Sequence, residues 1–260
     1  VGVVGYDFPE EHLEMLSSKG VDLSGLERSE KASFTWTGEY HENMNDRTTH
    51  EVAINVLEDW EVKVPSDLKD AEFVLLANMA PLNQLQMLDQ CNAKEKFVLA
   101  DTMDLWITVA NAELHQVLKR IDLLVINEGE AREFAGTNNL VLAGEILRGK
   151  GPEFVVIKLG EFGALLFGPG EKDFFRCGAW PLRDLADPTG AGDTFLGGMA
   201  GYLAKEKATK PTFGQLRKAV VQGSMLASFT CEAFSTRALE DIDSDILNKR
   251  LATFREISAW

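Results

Sequence analysis

The segment Asp187–Lys205, DPTGAGDTFLGGMAGYLAK, holds the residues whose types and spacing could do chemistry. After Gly192 the apolar residues Phe195, Leu196, Met199, Tyr202 and Leu203 recur with helical spacing and share one helix face. Gly190, Ala191 and Gly192 then sit at that helix's N-terminus. Their small side chains leave backbone N–H groups open, and such groups together with the helix dipole favour an anion. Asp193 falls in the first turn, beside this anion hole. A carboxylate there is out of place if the turn only stores a phosphate. It is in place if a phosphoryl group is transferred: the N–H groups hold the donor group while the carboxylate takes the proton of an attacking hydroxyl. A capped helix with an acidic first turn carries the same residues, and spacing alone leaves both readings open.

A site of this kind needs a rigid frame. Four short apolar runs, Phe73–Ala77, Phe97–Ala100, Leu123–Ile126 and Phe154–Ile157, are rich in Val, Ile and Phe and read as strands buried on both faces. Helical patterns over Leu82–Cys91, Val109–Ile121 and Leu140–Leu147 alternate with them, which predicts βαβ units and a mostly parallel sheet. Asp101 follows the second run directly. The carboxyl ends of parallel strands are where such sheets bind ligands, so Asp101 is a candidate for the acceptor side. Trp106 and Met103 nearby could pack on a ring or belong to the core.

Two regions break the rhythm. Residues 33–56 alternate at period two (Phe34 and Trp36, then Val52, Ile54 and Val56) around a polar turn at Glu42–Asp46. This predicts a hairpin standing apart from the main sheet, a lid, a dimer contact or an ordinary edge. Residues Gly163–Gly178 predict a second hairpin around Gly168-Pro169-Gly170.

The chain has 260 residues, 45% of them hydrophobic and 26% charged, enough for one large α/β domain. With 26 basic and 41 acidic residues the formal charge is −15, which repels phosphate backbones and argues against nucleic acid and anionic membranes as partners. Three scattered cysteines and four scattered histidines show no disulfide framework and no zinc spacing, and reduced thiols fit a cytoplasmic protein. No apolar run reaches the length of a membrane span, and no secretory signal is visible. The chain opens on VGVVG without Met, which suggests a missing upstream segment. A dinucleotide-dependent dehydrogenase would need G-x-G-x-x-G and a Walker NTPase G-x-x-x-x-G-K-[ST]; neither occurs.

The segment Asp187-Pro188-Thr189-Gly190-Ala191-Gly192-Asp193 resembles the D-T-x-G-A-G-D signature of the PfkB, or ribokinase-like, family of carbohydrate and nucleoside kinases. Asn127-Glu128-Gly129-Glu130 is similar to that family's N-x-x-E motif. Residues 157–164 (IKLGEFGA) resemble its strand–turn segment beside the nucleotide, and Gly20-Val21-Asp22 with Ser24-Gly25 resembles a marker ahead of its lid. The likeness runs from residue 1 to about residue 240. The early acidic substrate ligand and the Gly-Gly-x-x-x-Asn segment of the family are absent here.

The resemblance implies an α/β fold: a three-layer α/β/α sandwich with a mostly parallel sheet and a small β lid at 33–56, all in one kinase domain spanning 1–260. It implies transfer of the γ-phosphate of ATP to a hydroxyl of a sugar, with a nucleoside as the alternative acceptor. A non-catalytic nucleotide-binding regulator on the same fold is the rival of another class. Asp193 becomes the general base, with the amides of Gly190, Ala191 and Gly192 stabilising phosphoryl charge. Asn127 and Glu130 would hold Mg²⁺ through water. Lys158 would reach the nucleotide phosphates, unless it is a strand-end lysine snorkelling to solvent. Gly160, Glu161, Gly163 and Thr189 line the nucleotide, and Gly223 and Ala227 leave room for adenine, or serve plain helix packing. Asp187, with the loop around Ala233–Ser235, matches where some relatives bind a monovalent cation such as K⁺. Partners are then small molecules, with a homodimer through the β lid.

Overall fold

The structure, a computed structural model, describes residues 1–42, 44–45 and 47–259. The chain folds into two compact units, residues 1–71 with 82–93 and residues 72–81 with 94–260.

In the first unit, strand β1 (Gly2–Val4) pairs in parallel with β2 (Leu26–Arg28) across helix α1 (Glu10–Ser18). The expected hairpin is present: β3 (Thr35–Tyr40) and β4 (Arg47–Ala53) pair antiparallel, with a register shift at Thr37/Gly38. Trp36 anchors it, donating from Nε1 to Thr49 Oγ1 at 3.1 Å beneath the Arg47 guanidinium. The turn expected at Glu42–Asp46 includes Asn43 and Asp46, which lie outside the described residues. Ile54 and Val56 do not continue β4 as their period suggested; Asn55–Leu57 turns into a 3₁₀ helix that buries Val56. Gln86 and Gln90 of helix α2 (Pro81–Gln90) accept the N–H groups of Val62 and Val64, tying these two buried residues to that helix.

The second unit is built on one six-stranded sheet in the order β10-β9-β8-β7-β6-β5. Strands β5 (Phe73–Leu76), β6 (Phe97–Asp101), β7 (Leu123–Asn127) and β8 (Phe154–Lys158) run parallel. The antiparallel pair β9 (Ala164–Phe167) and β10 (Phe174–Cys177) completes it, as the Gly-Pro-Gly turn predicts. The all-apolar runs are explained by burial on both faces. Leu99, Leu123, Val125 and Val156 join one core with Phe195, Leu196, Met199 and Leu216. Their neighbours Val98, Leu124, Ile126, Val155 and Ile157 are buried on the opposite face, where helices α5 (Glu128–Ala135) and α6 (Leu140–Arg148) pack on β7 and β8.

Between β6 and β7 the helix expected over Val109–Ile121 is present as α4 (Asn111–Leu118), and a short helix that the spacing did not predict, α3 (Asp104–Val109), precedes it. The two break at Ala110, whose φ of −133° and ψ of 37° are not helical. The chain ends in α7 (Ala191–Lys205), α8 (Phe213–Thr230), α9 (Arg237–Glu240) and α10 (Ser244–Ile257).

Helices α7 and α8 touch backbone to backbone. A Cβ on Gly223 would lie 2.5 Å from Phe195 O and 3.0 Å from Met199 Cγ, and one on Gly198 3.0 Å from Gly223 Cα. Gly223 is therefore small because α7 needs the space. Of the two readings open for Gly223, this favours helix packing over room for adenine; Ala227, one turn on, packs against the same core.

Candidate active site

The parallel register brings the candidate residues together. Asp101, Asn127 and Lys158 occupy the carboxyl ends of adjacent strands β6, β7 and β8, with Asn127 directly opposite Lys158. Lys158 Nζ lies 3.1 Å from Asp101 Oδ2, with the two side chains 17% and 8% exposed. The same ammonium reaches the start of α7: a Cβ on Gly192 would lie 3.0 Å from Lys158 Nζ. Lys158 thus lies against the glycine turn rather than snorkelling to bulk water.

The turn itself is built from local chemistry. Asp187 Oδ1 accepts the Thr189 N–H at 2.9 Å, an Asx turn. Gly190 caps α7 with φ of +82°, a left-handed conformation that suits glycine. The Ala191 N–H donates to Pro188 O at 3.1 Å. Its amide is therefore occupied, which corrects the expectation that all three amides of Gly190–Gly192 are open. Gly192, in the first turn of α7, has no intrahelical carbonyl before it, so its N–H and the helix dipole suit an anion there.

Asp193 follows. Desolvation pushes its carboxyl above the usual carboxylate range, and the Asp101 charge adds to this while Lys158 opposes it. Asp193 is nonetheless an exposed residue. A base with a raised pKa is a better proton acceptor than an ordinary aspartate.

Asn127 and Glu130 form a capping box at the start of α5: Asn127 Oδ1 accepts the Glu130 N–H at 2.9 Å, and Glu130 Oε2 accepts the Asn127 N–H at 3.1 Å. Glu130 is only 6% exposed. Burial pushes its pKa to about 7, partly offset by the Asn127 N–H and by Lys158. Its raised pKa means that stability is present below pH 4.5 and lost as pH rises through about 7. Glu130→Gln keeps the box without the charge, so the variant gains on wild type as pH rises. The gain reaches at most about 3 kcal/mol at pH 8 and is small at pH 5. Thermal denaturation without divalent cations at both pH values checks this, and an equal gap at both contradicts it.

The turn after β8 needs its glycines. Gly160 has φ of +56° and Gly163 φ of +94°. A Cβ on Gly163 would fall 2.0 Å from Cys177 O. Gly163→Ala is expected to destabilise the fold by about 3 kcal/mol or more, read as a lowered denaturant midpoint. A midpoint equal to wild type would contradict this. Glu161 is exposed in the same turn.

Among residues not singled out by their spacing, Thr102 stands next to Asp101, is 5% exposed, and its Oγ1 is the one buried side-chain polar atom among the described residues without a partner. Asp104 lies near enough for its charge to act on Glu130. Trp106 Nε1 donates to Asn78 Oδ1 at 2.9 Å, tying the loop after β5 to the start of α3. Thr230 Oγ1 donates to Thr194 Oγ1 at 2.9 Å, fixing the end of α8 to the first turn of α7. Ala186 N donates to Cys231 O at 2.8 Å, placing Asp187 beside the loop that follows α8.

The donor set fits a nucleotide with a hard divalent cation. Among the described residues no three His, Cys, Asp or Glu side chains converge as a ready-made metal cage. Glu130 and Asp193 instead both lie near enough to Lys158 for its charge to act on their ionisation. Carboxylates without a closed cage suit Mg²⁺, which keeps several waters and takes its remaining ligands from phosphates.

A family model described as pfkB family carbohydrate kinase matches residues 1–242. The chain belongs to this family. It is a phosphotransferase with an alcohol group as acceptor, and its use of ATP follows from membership. The pfkB-family chain is 30% identical over 203 residues to a cytidine kinase of Thermococcus kodakarensis, covering 76% of this chain and 71% of that one. It is 28% identical over 244 residues to a nucleoside kinase of Methanothermobacter thermautotrophicus, covering 91% and 73%. Arabidopsis thaliana ribokinase, solved with ribose and ATP, superposes with a TM-score of 0.75 at 20% identity, over 96% of this chain and 80% of that one. This likeness shows the ribokinase-like α/β fold. Among the described residues no helix is long and apolar enough to cross a membrane.

Proposed function

We propose that this chain transfers the γ-phosphate of ATP to a hydroxyl of a nucleoside or sugar, with Asp193 as the base. The observation that carries the proposal is the convergence of the Gly192 backbone, the Lys158 ammonium and the Asp193 carboxylate at the start of α7. Gly192 N–H and Lys158 bind and orient the phosphoryl oxygens and neutralise charge that develops on them. Asp193 accepts the hydroxyl proton as the acceptor oxygen attacks, and the bond from the γ-phosphorus to the bridging oxygen breaks. Gly160, Glu161, Gly163 and Thr189 shape the nucleotide side by their turns. Glu130, with Asn127 holding it in place, would face Mg²⁺ through water, and Mg²⁺ supplies charge neutralisation on the phosphates. Glu130→Gln should therefore raise the Mg²⁺ concentration needed for half-maximal turnover; an unchanged titration removes Glu130 from the site. Asp187 and the loop after α8 would take a monovalent cation such as K⁺, read as activation by K⁺ over Na⁺.

For the acceptor, a nucleoside is the finer reading. It is supported by the cytidine kinase and the nucleoside kinase, the two relatives that align over most of this chain. A sugar remains the second reading because the fold neighbour solved with ribose shares the architecture. The test is a steady-state screen of cytidine, adenosine, inosine, ribose, fructose and fructose phosphates with ATP and Mg²⁺. The highest kcat/KM is expected for a nucleoside; one highest for a sugar phosphate overturns both readings. The kinase domain is proposed to span the whole chain and to dimerise through the β3–β4 hairpin, which a purely monomeric mass in sedimentation would contradict.

A further inference from the structure

Lys158 and Asp101 form an ion pair that neither the anion hole nor the base explains. Lys158 ends β8 and Asp101 ends β6, with β7 between them, so the pair spans the sheet's carboxyl edge. Both side chains are largely withdrawn from water. Asp101 is held on its other side as well: its Oδ1 accepts the N–H of Thr102 at 2.8 Å. A carboxylate anchored by its own backbone makes a fixed post. Lysine has a flexible four-carbon stem and needs such a post to stay in one rotamer. The Lys158 ammonium sits between this post and the Gly192 turn.

We propose that Asp101 is a positioning residue: it binds neither acceptor nor metal but holds the Lys158 ammonium over Gly192, where the phosphoryl group is received. This rests on the kinase reading above and replaces the acceptor-side role that the strand-end position of Asp101 suggested. Without Asp101, Lys158 keeps its charge but loses its place. Misplacement of a phosphate-binding group acts on nucleotide affinity and on turnover, and leaves the acceptor's affinity alone. A ligand role predicts the opposite split.

The test is a double-mutant cycle with Asp101→Asn and Lys158→Met, using MgATP and the best acceptor from the screen. Asp101→Asn keeps the shape and the Thr102 contact. It is expected to lower kcat/KM for ATP by about 10- to 100-fold through both constants, with the acceptor KM within about twofold of wild type. Once Lys158 is methionine, the same Asp101 change should cost less than about threefold, because coupled residues are non-additive. MgATP affinity by calorimetry should show the same coupling. An acceptor KM raised more than tenfold with ATP parameters intact, or penalties that simply multiply, overturns the proposal. Should Asp101→Asn fold poorly alone, Asp101→Glu, which keeps the charge but moves the carboxylate that holds Lys158, takes its corner of the cycle. Should the wild type phosphorylate no acceptor, the kinase reading fails, while coupling in MgATP affinity still upholds or refutes the positioning role.

Discussion

Asp193→Asn is expected to retain the fold and bind MgATP as tightly as wild type, yet lose about 10²- to 10⁴-fold in kcat. The substitution keeps the size of the side chain and removes only its capacity to take a proton. Asp193 is in the first turn of α7, where a neutral amide is no worse for the helix than a carboxylate pushed upward by desolvation. The stability of the variant should therefore match or exceed wild type at neutral pH. Loss confined to kcat marks an interaction made only in the transition state. A kcat within threefold of wild type would remove Asp193 from the chemistry.

Gly192→Val is the second change with a large expected effect. Valine's Cβ lands 3.0 Å from Lys158 Nζ, and its two methyl groups then occupy the space through which a phosphoryl oxygen would reach the Gly192 N–H. Helix α7 tolerates the residue at this point, because Gly192 lies in the right-handed helix itself and not at the left-handed cap. The penalty should therefore appear in function rather than in folding. Blocking one such donor costs about 10²- to 10³-fold in kcat, and displacement of Lys158 should also weaken MgATP binding. Calorimetry and steady-state kinetics together check this. Unchanged MgATP affinity and turnover would show that phosphate does not bind at this turn.

The sheet and the glycine turn that opens α7 were legible because each is encoded locally. A parallel strand buried on both faces must be apolar throughout, so Phe97–Ala100, Leu123–Ile126 and Phe154–Ile157 announce themselves. The same holds for the helix face that begins at Phe195. What was not legible depends on register and close approach. Asp101 and Lys158 are 57 residues apart, and only the strand order β6-β7-β8 makes them partners. Gly223 stayed open between two readings because close helix crossing and space for a ring both ask for a small residue; the 2.5 Å approach to Phe195 O favours the crossing. Helix α3 was missed because its six residues are too few to show a helical period. The Ala191 amide looked open because Pro188 O, its partner, belongs to a turn whose shape depends on Asp187 holding Thr189.

The most direct measurement of the central claim is a crystal structure with Mg²⁺ and a non-hydrolysable ATP analogue. The γ-phosphate is expected at the start of α7, with one oxygen within hydrogen-bond distance of Gly192 N, another on Lys158 Nζ, and Asp193 facing the phosphorus from the acceptor side. A nucleotide bound with its phosphates away from this turn would contradict it.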